Sequence, residues 1–222
     1  FLCAPLLGAL SDRVGRRPVL LLSLIGTAAG FFLMGWAQTL PLLFVARIID
    51  GITGGNISTA SAYIADVTPP EQRSRGMGLI GAAFGLGFIF GPAIGGLLSG
   101  ISLSAPFFFA AALAATNAVA VYFLLPESLP AAQRGQQRER ASVFSLSRMA
   151  EGRSLSSVVA TYFVTTVGFS LLTATYPLFT QRRFGYGAME NGYIFAGQGV
   201  LSAVVQGGLL GWLLKVFSDK GL

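Results

Sequence analysis

Charged side chains make up only 11% of this chain, and most of them fall in a few compact clusters. Residues 8–18 read Gly-Ala-Leu-Ser-Asp-Arg-Val-Gly-Arg-Arg-Pro. Asp12 and three arginines (Arg13, Arg16, Arg17) thus sit beside Gly8 and Gly15, between two apolar runs. Asp12 and Arg16 stand at i, i+4 and can pair on a helix, or either can reach another part of the molecule. Gly8 lets two helices come close, and Gly15 lets the chain turn tightly. A contact of this kind can be broken and remade, which is what a gate requires; a basic turn that only sets topology is the plainer alternative. Arg47 and Asp50 lie inside an apolar run, where a charge costs about 2.5–3.5 kcal/mol and so faces a partner or a cavity. One turn apart, they can neutralise each other, or Arg47 can face a cavity and tune a carboxylate that binds protons. Asp66 and Arg73 can bridge two helix ends. The chain has no histidine and one cysteine, Cys3. That argues against His-based metal sites, proton relays and Cys/His nucleophiles. It also rules out an intrachain disulfide. Neither an enzyme nor a bound cofactor is expected.

The elements that must position these residues are membrane helices. Apolar residues make up 53% of the chain, and mean hydropathy is +0.68. A soluble domain carries about 25% charged residues, so this composition fits an all-α polytopic membrane protein. The 29 glycines suit close helix packing in a bilayer. About 20 apolar residues span a bilayer as a helix. A truncated span is expected at 1–10, with fuller ones at 18–37, 42–64, 76–98, 106–125, 155–179 and 191–217. Pro18 and Pro106 open their spans, where a missing N–H costs nothing. Basic residues alternate by side. Three fall at 8–17, two at 65–75, five at 126–154 and two in the final segment, against Arg182 and Arg183 on the other face. The positive-inside rule then places loops 8–17, 65–75 and 126–154 in the cytoplasm of an integral inner (plasma) membrane protein. The basic balance therefore reflects topology and implies no nucleic-acid partner.

Residues 126–154 are polar and long, and read as a linker between an N-terminal bundle (1–125) and the start of a C-terminal one (155–222). A short amphipathic piece is expected at Val143–Met149. Gly211–Gly221 faintly echoes residues 8–18, as parallel repeats would. Thr161, Thr165, Thr166, Gln198 and Gln206 dot the last two spans, where hydrogen bonding between helices is the default expectation.

The span at 76–98 carries Gly87, Gly91 and Gly95 at spacing four, with Pro92 and Gly96 completing a G-x-x-x-G-P-x-x-G-G string. Spacing of this kind lets helix backbones touch, and Pro92 bends its helix. The 8–17 stretch resembles the G-x-L-[AS]-D-R-x-G-R-[RK] loop of the major facilitator superfamily, between its second and third helices. Arg47 and Gly51 resemble the R-x-x-x-G motif of the fourth helix in drug/proton antiporters, from which Asp50 departs. The glycine–proline string resembles that superfamily's antiporter motif, and Leu125-Pro-Glu-Ser the exit of its sixth helix. Residues 1–126 resemble the tetracycline-resistance group.

The resemblance implies a major facilitator fold fragment, running from partial helix 2 through helix 8, with the first helix and last four outside it. It further implies a proton-coupled antiporter that exports drug-like small molecules as a monomer, with the proton gradient as its energy source. Exchange of a metabolite, sugar or lipid, or a non-transporting receptor or scaffold, are the alternatives. Tetracycline pumps carry a carboxylate midway along their third helix; by register this chain has Gly30 there, which argues against that drug. Because the second bundle is incomplete, these 222 residues are not expected to transport alone.

Overall fold

The computed structural model describes residues 3–54, 56–130, 134–135 and 153–204. All regular structure among them is helical: α1 (Ala4–Val14), α2 (Arg16–Trp36), α3 (Leu40–Thr53), α4 (Asn56–Val67), a 3-10 turn (Pro70–Gln72), α5 (Arg73–Ser99), α6 (Ala105–Leu124), α7 (Arg153–Phe184) and α8 (Ala188–Val204). Five stretches among the described residues are long and apolar enough to cross a membrane: Arg16–Trp36, Leu40–Val67, Pro70–Ser99, Ala105–Leu124 and Ala160–Phe184. The described residues divide into two compact units. One lies within Phe1–Gln136 and Gly192–Leu222, the other within Gln137–Asn191. The amphipathic piece at Val143–Met149, most of the 126–154 linker, the echo at Gly211–Gly221 and Gln206 lie outside the described residues.

α2 is the centre of the first unit. Its buried face carries Val19, Leu20, Leu24 and Met34, and it packs against α6, α3, α4 and α1. Glycines set how closely. A Cβ on Gly35 would stand 3.0 Å from the Phe108 ring of α6, and one on Gly26 would overlap the Thr53 side chain of α3. With little hydrophobic drive between helices in lipid, contact of this kind supplies the packing energy.

Two expectations change. Residues 8–17 are not an open loop: α1 runs to Val14 and α2 starts at Arg16, so Gly15 alone makes the turn. The span expected at 42–64 is interrupted. Helix α3 stops at Thr53, and α4 begins at Asn56 beyond consecutive glycines. Gly54 sits at φ −69° and ψ 20° there. Glycine loses the most conformational freedom in a helix, so two in succession are the weakest point of a 28-residue span.

Candidate functional site

The turn between α1 and α2 places Gly15 at φ 119° and ψ 159°, a conformation that suits only glycine. It swings Arg16 into the unit, where the residue is 3% exposed. The guanidinium makes three contacts at once. Nη1 lies 2.7 Å from Asp12 Oδ1 and donates to Ser11 Oγ at 2.6 Å; Nε lies 3.0 Å from Asp66 Oδ2. Ser11, fully buried, passes its own proton to the Gly8 carbonyl at 2.7 Å. One cation therefore clasps the end of α1 to the end of α4. The i, i+4 pairing of Asp12 with Arg16 is present. Asp66, however, takes Arg16 as its partner where the sequence suggested Arg73, which lies exposed at the start of α5. Gly8 is not at a close approach, since a Cβ there would stand 3.9 Å from Ser58 Oγ. Arg13 is exposed.

Glu127, just beyond α6, completes the clasp. Its Oε1 accepts from the Arg16 amide at 2.8 Å and the Leu129 amide at 3.1 Å, and its Oε2 accepts from the Arg17 amide at 3.3 Å. The carboxylate thus caps the first turn of α2, whose N–H groups have no intrahelical acceptor and carry the positive end of the helix dipole. Arg17 turns the other way. It donates to the Tyr122 carbonyl and lies over the Tyr122 ring, 5.5 Å from its centre. The sequence marked Glu127 only as part of a helix exit.

Arg47 and Asp50 do not pair. Among the described residues neither has an ion-pair or side-chain hydrogen-bond partner. Arg47 is exposed, whereas Asp50 is half-buried against α2. A Cβ on Gly30 would stand 3.0 Å from Asp50 Cβ and 3.3 Å from the Ala46 carbonyl. Asp50 thus fills the space a side chain at 30 would need. It lies in the last turn of α3, directly before the interruption.

On α5, a Cβ at Gly87, Gly91 or Gly95 would meet nothing within 4 Å among the described residues. The close contact runs one position around the helix. A Cβ on Gly192 of α8 would stand 2.6 Å from Gly96 Cα and 2.8 Å from the Pro92 carbonyl, and one on Gly199 would stand 2.7 Å from the Phe88 carbonyl. Pro92 has no N–H to give that carbonyl, and Gly199 brings the α8 backbone against it. Gly192→Val should overpack this seam by about 1–3 kcal/mol. A thermal melt of the detergent-purified protein should show the drop, and an unchanged melting temperature would mean the helices do not meet there.

A cavity of about 730 Å³ opens between α2, α4, α5 and α6. Leu24, Ile64, Phe84 and Phe88 line it, with Asn56, Tyr63 and Asn117 as its polar groups. In the second unit, buried Thr180 and Asn191 share a 2.8 Å hydrogen bond. Thr165 and Thr166 bond to carbonyls of their own helix. No group of His, Cys, Asp and Glu among the described residues is arranged to hold a metal ion.

The family model of the major facilitator superfamily matches residues 1–221. The class C tetracycline resistance protein of Escherichia coli is 40% identical over 99% of this chain and 56% of its own length. Human major facilitator superfamily domain-containing protein 10 is 35% identical over 93% of this chain and 49% of its own length. The crystal structure of that human protein, described as an organic anion transporter, covers 94% of this chain and 53% of its own, with TM-score 0.71 and 35% identity. The chain spans about half the length of the curated relatives it matches.

Proposed function

The chain belongs to the major facilitator superfamily, and from that premise we propose that it is part of a proton-coupled antiporter exporting small organic molecules by alternating access. The protein is a multi-pass membrane protein of a transporter family. The observation that carries the proposal is the Arg16 clasp. A buried cation held by carboxylates from two helices ties the ends of α1, α2 and α4 together, so that this bundle can rock as one body against another, as alternating access requires. In this reading the clasp faces the cytoplasm from the inner membrane. Residues 1–125 and 155–222 belong to two bundles joined by 126–154, the protein works as a monomer, and Asp50 carries the coupling proton. The α5–α8 seam supports exchange, because backbone-close helices can seal a path. The relatives differ in their named cargo, tetracycline resistance in one set and organic anions in the other. The cargo of this chain is therefore set by its own residues.

Everted membrane vesicles carrying the whole protein test this. A pH gradient should drive uptake of at least one drug from a panel, and an uncoupler should abolish it. Asp12→Asn should slow it. Uptake indifferent to the uncoupler, or none for any compound with the protein verified in the membrane, would overturn the proposal.

A further inference from the structure

We propose that Arg17 and the outward-facing seam between α2 and α6 form a site for one anionic phospholipid, its phosphate on the Arg17 guanidinium and an acyl chain along the seam. The site goes beyond the exporter reading above and stands or falls without it.

Charges at this end of the first unit leave one held cation unmatched. Arg16 takes both Asp12 and Asp66. Glu127 accepts from three backbone amides, and Arg134 Nη2 lies 3.9 Å from its Oε2. Arg17 has no ion-pair partner among the described residues. Its side chain is fixed all the same. Nη2 donates to the Tyr122 carbonyl, in the last turn of α6 where carbonyls lack intrahelical donors, and the guanidinium lies over the Tyr122 ring. Nε is buried without an acceptor. Nη1 has no acceptor among the described residues either, but it is not enclosed and can meet a ligand. A part-buried cation without a counter-charge is costly, and an anion at Nη1 removes that cost. Arginine N–H groups suit a phosphate in particular. Arg13, exposed and equally without an ion pair, adds positive potential at the same end of the unit.

The surroundings select a lipid over a free anion. Arg17 stands in the first turn of one apolar span and Tyr122 in the last turn of another, at the headgroup depth where tyrosines gather. The two helices meet from Arg17 on Tyr122 at one end to Gly35 against Phe108 at the other. Ile25 and Phe32 fall within about 80° of Arg17 around α2, and Ala115 and Val119 within about 60° of Tyr122 around α6. All four are exposed, so an apolar strip runs inward from the cation along the seam. From Arg17 to Phe32 it is about 22 Å long, more than the depth of one leaflet in a core about 30 Å thick. A free anion would match the charge and leave this strip uncovered. In the proposed orientation, this end meets the cytoplasmic leaflet, whose anionic lipids attract arginine.

The test uses the whole protein, purified in detergent and titrated with dioleoylphosphatidylglycerol or dioleoylphosphatidylcholine, with bound lipids counted by native mass spectrometry. One phosphatidylglycerol should bind more tightly than phosphatidylcholine. Arg17→Gln removes the charge but keeps an N–H for the Tyr122 carbonyl, and should weaken phosphatidylglycerol about fivefold, to the level of phosphatidylcholine. Tyr122→Leu leaves the backbone carbonyl in place and removes the ring. It should weaken phosphatidylglycerol about 2- to 5-fold, and it decides the matter if Arg17→Gln does not fold. Inorganic phosphate in excess should not displace the lipid. A preference for phosphatidylglycerol unchanged in Arg17→Gln would mean that Arg17 only caps α6, and would overturn the proposal. Displacement of the lipid by inorganic phosphate would mark a free-anion site and overturn it as well.

Discussion

Replacing Arg16 by lysine should abolish most transport, although the charge is kept. The guanidinium is a planar fork that reaches Asp66 through Nε while Nη1 serves Asp12 and Ser11. An ammonium is a compact point on a flexible stem, and it cannot keep that division of partners. The three acceptors differ in what they lose. The Asp12 side chain is 48% exposed and recovers water, while that of Asp66 is 12% exposed and Ser11 is fully enclosed. Arg16→Ala removes the ion pairs with Asp12 and Asp66 and the hydrogen bond to Ser11; with Asp66 only partly enclosed, the loss stays at or below about 3–5 kcal/mol, the cost of a fully buried pair broken from one side. We therefore expect Arg16→Ala to lower the melting temperature of the purified protein and eliminate gradient-driven uptake. Arg16→Lys should melt closer to wild type yet remain at least about tenfold slower, a difference of about 1.4 kcal/mol. Wild-type uptake by Arg16→Lys would show that any positive charge suffices and that the fork has no role in the clasp.

How much of this was legible depended on the distance over which residues act. Asp12 and Arg16 were readable as a pair because only four positions separate them, although the turn at Gly15, and not one continuous helix, brings them together. The partner of Asp66 was not, because Arg73 is nearer along the chain while Arg16 is nearer in space, 50 positions away. The helix interruption was half visible: Gly54 and Gly55 stand in the sequence, but the apolar run continues across them and hides the stop. The glycine string of α5 predicted a close helix contact on the right helix. It pointed to the face of Gly87, Gly91 and Gly95, where the seam uses Phe88, Pro92 and Gly96. One residue turns a helix by 100°, and only the partner helix decides which face it meets. The register argument placed a glycine, not a carboxylate, at position 30. It could not reveal that Asp50 approaches the same space from α3.

Glu127 is the residue the sequence concealed, and it carries the second large expectation. The two of its partners that hold α2 lie 110 and 111 positions away, and they are backbone amides, which leave no mark in a sequence. Glu127→Ala should strip acceptors from the Arg16, Arg17 and Leu129 amides and remove a negative charge from the positive end of α2. Losing a cap costs about 0.5–2 kcal/mol, and the dipole interaction adds about 0.3–1 kcal/mol. Glu127→Gln keeps one acceptor oxygen and should lose less. Gly15→Ala should be worse than an ordinary glycine substitution, for two separable reasons: its backbone has φ 119°, and a Cβ there would overlap the Glu127 carboxylate. The backbone strain, about 1–3 kcal/mol, persists whatever stands at 127. The overlap does not, because alanine at 127 removes the carboxylate. Gly15→Ala should therefore cost less in the Glu127→Ala background than alone, with a coupling of about 0.5–3 kcal/mol in melts of the four proteins. Strict additivity would mean that Glu127 does not press on the turn. The cap would then hold α2 without holding Arg16 in the clasp.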